Sequence, residues 1–233
     1  MRVLVVTAVP VERDAVTRAS GGSPEVLRVP GAEIHRTGPL DVLAGGAGPA
    51  AASAATAFAL AACSGAYGLV VSAGIGGGFA PAAPVGSLVV ADAIVAADLG
   101  AETPDGFVPV TGLGFGRDRF EPPPALVREA ASVTGAVTGP VLTLSTVTGS
   151  AARTAALLAA HPTAVAEAME GFGVAEAAAG LGLPALEIRA VSNTVGPRDR
   201  AAWRIGDALT ALTGAFGKLI PVLEGWTPHD RDH

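Results

Sequence analysis

Cysteine and lysine are almost missing from this sequence. The single cysteine, Cys63, cannot close a disulfide within the chain, which suits a reducing, cytoplasmic setting. Lys218 is the only lysine, and 15 basic side chains face 21 acidic ones, for a formal net charge of −6. That balance gives no electrostatic reason to bind nucleic acid, whose affinity comes mostly from basic groups on phosphates, and it disfavours anionic membranes on the same grounds. His35, His161, His229 and His233 lack metal-ligand spacing. With one cysteine and no H-E-x-x-H, no metal site is expected. A G-x-S-x-G elbow is absent too. Val3–Val6 is apolar, but Pro10, Glu12, Arg13 and Asp14 follow too soon for the apolar core of a signal peptide.

Charge is also missing over one long stretch, from Val42 to Ala91. Glycines at 45, 46, 65, 68, 74 and 76–78 break it, and its longest helix candidate, Pro49–Cys63, is mostly alanine. A membrane span needs about 20 strongly apolar residues, so a buried strand–helix–strand unit explains the stretch better.

What is present is an alternation of short β-branched runs with alanine-rich ones. Strands are expected near Arg2–Thr7, Val26–Val29, Glu33–Thr37, Val42–Ala44, Leu69–Ser72, Ser87–Ala96, Val141–Thr146, Ala164–Ala168 and Ala185–Val191. Helices are expected near Val11–Ala19, Pro49–Cys63, Pro124–Val133, Ala151–Ala160, Phe172–Leu181 and Ala201–Leu223. The pattern predicts an α/β fold with a mainly parallel or mixed sheet covered on both faces. Length and the lack of a long linker predict one domain over residues 1–225, followed by a polar tail at 226–233. The proline- and glycine-rich stretch Gly100–Pro124 reads as an irregular loop.

Ligands in such sheets sit beyond the carboxyl ends of the strands. Gly46-Ala-Gly-Pro-Ala-Ala51 follows a strand and opens a helix like a dinucleotide fingerprint, but the acid expected about 20 positions on is missing. Tight strand-to-helix packing is the better reading. Gly74–Phe79 also follows an apolar strand and reads as a turn; it has no G-K-[ST], so a nucleoside triphosphate has no support. Glu170 falls where a buried strand meets a helix start, and both a helix-terminus carboxylate and a ligand-binding one fit there. Glu12 in a first helical turn and Asn193 after a strand are compatible with capping or turn roles.

In combination these segments resemble the purine-nucleoside phosphorylase and methylthioadenosine/S-adenosylhomocysteine nucleosidase superfamily, and within it the futalosine hydrolases. The anchors are Val3–Glu12, Gly74–Pro81 with Val85-Gly86-Ser87, Met169-Glu170-Gly171 and Arg189-Ala-Val-Ser-Asn193; Thr194–Arg200 with Trp203 points to the narrower group. The resemblance runs from residue 2 to about residue 223. It implies a three-layer αβα fold, a homodimer or higher homo-oligomer, a small nucleoside substrate and no cofactor. It implies catalytic roles for Glu12, which activates water, for Glu170, which grips the ribose hydroxyls, and for Asn193, which meets the N7 and six-position edge of the base. Substrate contacts are implied for Ile75 and Gly76 in the glycine segment, for Val147 beside the base and for Met169 against the sugar.

Asn in place of the Asp found in adenine-specific relatives favours a 6-oxopurine, since its amide suits O6 or N7 and a ring N–H. No cation lies between Arg36 and Arg117, and Ile75 stands where phosphorylases carry a hydroxyl, so water rather than phosphate is the expected nucleophile. For a substrate with a carboxylate on its 5′ side, Arg198 or Arg200 is a candidate partner. The competing reading for both is a solvated loop or an ion pair with Asp199 or Asp207. Arg189 is read as orienting Glu12 or touching substrate. The resemblance thus implies hydrolysis of an N-glycosidic bond to release hypoxanthine in menaquinone biosynthesis. A methylthioadenosine/S-adenosylhomocysteine nucleosidase, a purine-nucleoside phosphorylase and a non-catalytic nucleoside-binding protein are the rivals.

Overall fold

A computed structural model describes residues 1–227. The strands are β1 (Arg2–Thr7), β2 (Glu25–Val29), β3 (Ala32–Thr37), β4 (Leu40–Ala44), β5 (Tyr67–Gly78), β6 (Leu88–Ala96), β7 (Gly100–Thr103), β8 (Gly106–Pro109), β9 (Arg119–Phe120), β10 (Val137–Thr143), β11 (Ala166–Ala168) and β12 (Ala185–Thr194). The helices are α1 (Pro10–Arg18), α2 (Pro49–Ala62), α3 (Pro124–Thr134), α4 (Ala151–Ala160), α5 (Gly171–Ala179) and α6 (Ile205–Gly225).

Strand alternation sorts the core into two faces. In β1, Val3 and Val5 join a cluster with α1, α3 and α6, whereas Leu4 and Val6 join one with α2 and α5. Helices on both sides leave the sheet's centre dry, and β1 is correspondingly apolar on both faces. The result is the mixed α/β sheet expected from the alternation.

The sheet runs in the order β11-β10-β6-β12-β5-β1-β4-β3-β2. Parallel pairing dominates its middle, while β12 meets β6 antiparallel. One end closes on itself. The short strand β11 pairs parallel with β10 and antiparallel with the far end of β5, so β5, β12, β6, β10 and β11 form a ring.

Closure depends on the glycines of β5, which correct the turn expected at Gly74–Phe79. The strand continues through Gly78, and none of Gly74, Gly76, Gly77 or Gly78 has a positive φ. These residues are glycine because other atoms fill the space of a side chain: a Cβ on Gly76 would lie 2.8 Å from the Glu167 carbonyl oxygen, and one on Gly78 would lie 2.0 Å from that of Ala83. Close approach, not turn geometry, explains the run.

Two other expectations change. Part of the Gly100–Pro124 stretch is ordered as the hairpin β7–β8, and Arg119–Phe120 adds to the edge of β6. The predicted tail begins too early, because Trp226 is buried among α6 and α3 side chains; its large ring outweighs the polar residues after it. Thr227 is exposed, and residues 228–233 lie outside the described residues.

The two helices α2 and α5 touch through Gly173, where a Cβ would lie 2.1 Å from the Pro49 carbonyl oxygen. Gly173→Ala is therefore expected to destabilise the fold by roughly 1–3 kcal/mol, read as a thermal midpoint about 2–10 °C lower. An unchanged midpoint would show that this contact yields freely.

Candidate active site

The carboxylate of Glu12 is fixed by backbone geometry. Thr7 ends β1, Pro10 pre-sets the first turn of α1, and Glu12 follows as its third residue. Its Oε2 accepts from the N–H groups of Val9 (3.2 Å) and Ala8 (3.0 Å), reaching back over the helix start as in half a capping box. Oε1 accepts the Ile75 N–H at 2.8 Å, tying α1 to β5. Burial nevertheless raises the Glu12 carboxyl above its ordinary 4.5, against the pull of the Ile75 and Val9 N–H groups and of Arg189; Glu170 adds to the rise.

Glu170 stands at the N-cap of α5. Its Oε1 accepts the N–H of Gly48 (3.2 Å), the N-cap of α2, so the carboxylate faces the N-terminus of that helix. Gly48 adopts φ +92°, a conformation that favours glycine. Oε2 accepts the Met169 N–H at 3.3 Å and lies 3.2 Å from Nη1 of Arg189.

Arg189 projects from β12 and is fully buried. Its Nε donates to Glu187 Oε1 (2.9 Å) and its Nη2 to Ser72 Oγ (2.9 Å). Burial alone would lower the guanidinium; Glu187, Glu170 and Glu12 around it hold it above its ordinary value. Glu187 goes the other way, pushed up by complete burial, with Arg189 opposing. Gly74 marks the meeting point. A Cβ there would lie 2.7 Å from Glu12 Oε1 and 2.8 Å from Arg189 Nη1, so only glycine leaves room for both.

The structure thus brings Glu12, Glu170, Ile75 and Met169 into one linked group. Asn193 sits further along β12, opposite Gly77. The Ser192 hydroxyl lies 2.9 Å from its Oδ1 and 3.2 Å from the Gly76 carbonyl, while Nδ2 donates to the Thr194 carbonyl at 3.2 Å. Val147 is exposed in the loop after β10, and its neighbour Thr148 is buried. Arg198 and Arg200 share the ring of Trp203, with guanidinium carbons 5.6 and 5.8 Å from its centroid. Neither pairs with the acids considered for them: Asp199 accepts the Ala201 N–H, and Asp207 pairs with Arg204.

Sequence reasoning missed Glu167, an acid on β11 that is 2 % exposed, and Glu187. Glu167 lies between alanines in β11 and Glu187 shares β12 with Arg189, and a carboxylate in a strand expected to be buried was the available signal. Among the described residues no His, Cys, Asp or Glu group is placed to hold a metal ion, and no helix is long and apolar enough to cross a membrane.

The profile of the phosphorylase superfamily matches residues 2–220, and the chain belongs to that superfamily. Relatives at higher identity narrow the membership to the futalosine hydrolases. The futalosine hydrolase of Streptomyces coelicolor is 66% identical over 235 residues, which cover 99% of this chain and 100% of that one. The futalosine hydrolase of Acidothermus cellulolyticus is 44% identical over 224 residues, 93% of this chain and 89% of that protein. The same fold is seen in the native structure of futalosine hydrolase from Helicobacter pylori, with TM-score 0.82 at 17% identity over 95% of this chain and 98% of that one. A 5′-methylthioadenosine/S-adenosylhomocysteine nucleosidase from Helicobacter pylori matches equally, with TM-score 0.82 at 16% identity over the same shares.

Removing Arg189 leaves buried carboxylates without their cation. Arg189→Met is expected to cost about 3–5 kcal/mol, measured by denaturant unfolding, and adding Glu187→Gln should recover part of the loss. Equal stability of the wild type and the single variant would remove Arg189 from this structural role.

Proposed function

We propose that the protein hydrolyses the N-glycosidic bond of futalosine, giving hypoxanthine and dehypoxanthinylfutalosine in menaquinone biosynthesis. The observation that carries this reading is the pair of fixed carboxylates, Glu12 and Glu170, on either side of the Arg189 guanidinium above Gly74. Full-length identity to the futalosine hydrolases supports the substrate.

In this scheme the C1′–N9 bond lengthens and positive charge grows on the ribose. Glu170, held by the Gly48 and Met169 N–H groups, aligns the ribose hydroxyls, with Met169 packed on the sugar. Water attacks C1′ as Glu12 takes its proton, and the bonding pair leaves with the base. A carboxyl whose pKa burial has raised is a better proton acceptor than an ordinary one. Asn193 stabilises charge on the departing base, and Val147 flanks it. Ile75 and Gly76 line the floor, with the Ile75 N–H committed to Glu12.

Water is the nucleophile because the cations a phosphate needs are not at hand. The guanidinium at Gly74 belongs to Arg189, already engaged by Glu170, Glu187 and Ser72. At the 5′ side, Arg198 and Arg200 on Trp203 offer a planar cationic surface for the substrate's carboxylate. Self-association and a cytoplasmic site of action belong to the same reading; sedimentation of the purified protein tests the first.

The test is chromatography of the base released from futalosine, inosine and methylthioadenosine, with and without phosphate. Hypoxanthine is expected from futalosine, independent of phosphate, and inosine, lacking the carboxylate, should react far more slowly. Adenine from methylthioadenosine as the main product, or a phosphate requirement, would overturn the substrate or the nucleophile.

Glu12→Gln should lower turnover by about 10²–10⁴-fold, the usual contribution of a placed base. The sign of the pH dependence follows from the raised carboxyl: the base works ionised, so activity falls as pH drops through a value above 4.5. An acid limb at or below 4.5 would dissociate Glu12 from the rate. Asn193→Asp should cut hypoxanthine release by about tenfold or more relative to adenine release; an unchanged ratio would remove Asn193 from base recognition.

A further inference from the structure

Glu187 takes no step in the scheme above, yet it is sealed from solvent inside the same cluster. It stands two residues before Arg189 on β12, so the two side chains project to one face of the sheet. Its Oε1 accepts from Arg189 Nε at 2.9 Å. The other edges of the guanidinium are taken by Ser72, which accepts from Nη2, and by Glu170, whose Oε2 lies 3.2 Å from Nη1. Glu12 is on the Nη1 side as well, since a Cβ on Gly74 would lie 2.8 Å from Nη1 and 2.7 Å from Glu12 Oε1. Glu187 therefore holds the cation from behind, by the edge turned away from both reacting carboxylates.

Charge in this cluster is out of balance: Glu12, Glu170 and Glu187 surround one guanidinium. The charged groups that act most on Glu12, from α1, are Arg189 of β12 and Glu170 at the start of α5. The same two act on Glu187, and β5 adds the uncharged Ser72 hydroxyl. Glu187 packs under the first residue of α5, where a Cβ on Gly171 would lie 2.1 Å from its Oε2. That oxygen has no hydrogen-bond partner among the described residues, so Arg189 is the principal group that neutralises Glu187. Neutralisation works in both directions. A guanidinium with a carboxylate behind it presents a smaller net field to the carboxylates in front.

We infer that Glu187 is a positioning residue for the hydrolysis: it anchors the Arg189 guanidinium by Nε, and its charge offsets part of the cation's field at Glu12, the base that takes the proton from water. The inference rests on the hydrolase reading and adds to it the source of the base's strength. A nearby opposite charge favours the ionised form of a carboxyl, so an unbalanced Arg189 would leave Glu12 a weaker base. Burial raises the Glu12 carboxyl and Arg189 opposes the rise; Glu187 limits that opposition. Ser72 supplies the contrast, because it holds the same guanidinium at the same 2.9 Å without a charge. Loss of Ser72 loosens the cation, whereas loss of the Glu187 charge strengthens the cation's hold on Glu12.

The experiment compares pH profiles of kcat and kcat/KM for futalosine cleavage in the wild type, Glu187→Gln and Ser72→Ala, with thermal midpoints measured alongside. Gln keeps an oxygen for Arg189 Nε and removes only the charge. The acid limb of Glu187→Gln is expected about one pH unit below that of the wild type. Its plateau kcat should fall by no more than about tenfold, the most that a base weaker by one unit loses, with KM within about twofold. Ser72→Ala should leave the limb in place, whatever it does to the midpoint. A purely structural role for Glu187 would lower the midpoint without moving the limb. That result, a limb displaced upward, or an equal displacement in Ser72→Ala would overturn the inference. Glu187→Asp serves if the Gln variant does not fold: it keeps the charge on a shorter arm, and its limb should stay with the wild type. A limb lowered by a full unit in Glu187→Asp would show that reach rather than charge matters, and would overturn the inference too. Failure of the functional reading looks different, because the wild type itself would then release no hypoxanthine from futalosine.

Discussion

A guanidinium sealed from water holds the active end of this molecule together. A charge of that kind is tolerated only where several acceptors surround it, and Arg189 has Glu187, Glu170 and Ser72 within hydrogen-bonding or ion-pair reach. Three parts of the fold are set by that demand. Strand β12 has to run between β5 and β6 so that Arg189 reaches across the sheet. Residue 74 has to be glycine, and Glu170 has to stand at a helix start facing inward. The raised Glu12 carboxyl is the outcome of burial in this setting, where the cation opposes the rise and a second carboxylate adds to it.

Backbone donors do much of the remaining positioning. Glu12 is held by three N–H groups, Glu170 by two and Glu167 by one. This gives the uncharged stretch from Val42 to Ala91 a chemical role. It contributes main-chain N–H groups, from Gly48 and Ile75, and supplies no charged side chain to the site. Carboxylates carried on other elements grip that backbone, and small residues keep the approach open. A donor that is part of a sheet or a helix terminus needs no rotamer to be frozen, so the acids are held at little entropic cost.

Much of the fold could be read from the sequence, because long apolar and alanine-rich runs settle element type without reference to distant partners. Strand β1 and helix α4 have the predicted limits, Arg2–Thr7 and Ala151–Ala160. The glycine run after Ser72 was misread because local chemistry favours a turn, whereas the reason for those glycines lies mostly in distant residues, Glu12, Arg189 and Glu167, with Ala83 of the following loop. The strand expected at Ala164–Ala168 is present as β11, but closure of the ring was illegible because its two partners, β10 and the far end of β5, lie elsewhere in the chain. At the site, the resemblance named Glu12, Glu170 and Asn193, and the structure gathers the first two around Arg189. Glu167 and Glu187 escaped notice because a buried carboxylate gains its meaning only from what it faces. Arg198 and Arg200 were left open between substrate and local acids; Trp203 is what they touch.

The place of β12 also bears on how the chain is made. Strands β5 and β6 are successive in sequence for this sheet, yet they are not neighbours, and the gap between them is filled only by residues 185–194. On the ribosome, most of the protein must emerge before its central slot can be filled. Until then the inner edges of β5 and β6, both largely apolar, stand unpaired, the condition in which nascent strands find wrong partners. Insertion of β12 then delivers Arg189 and Asn193 in one movement, so the site is assembled by the same late event that completes the sheet. A chain stopped before residue 185 would be left without either residue and with an open seam at its centre.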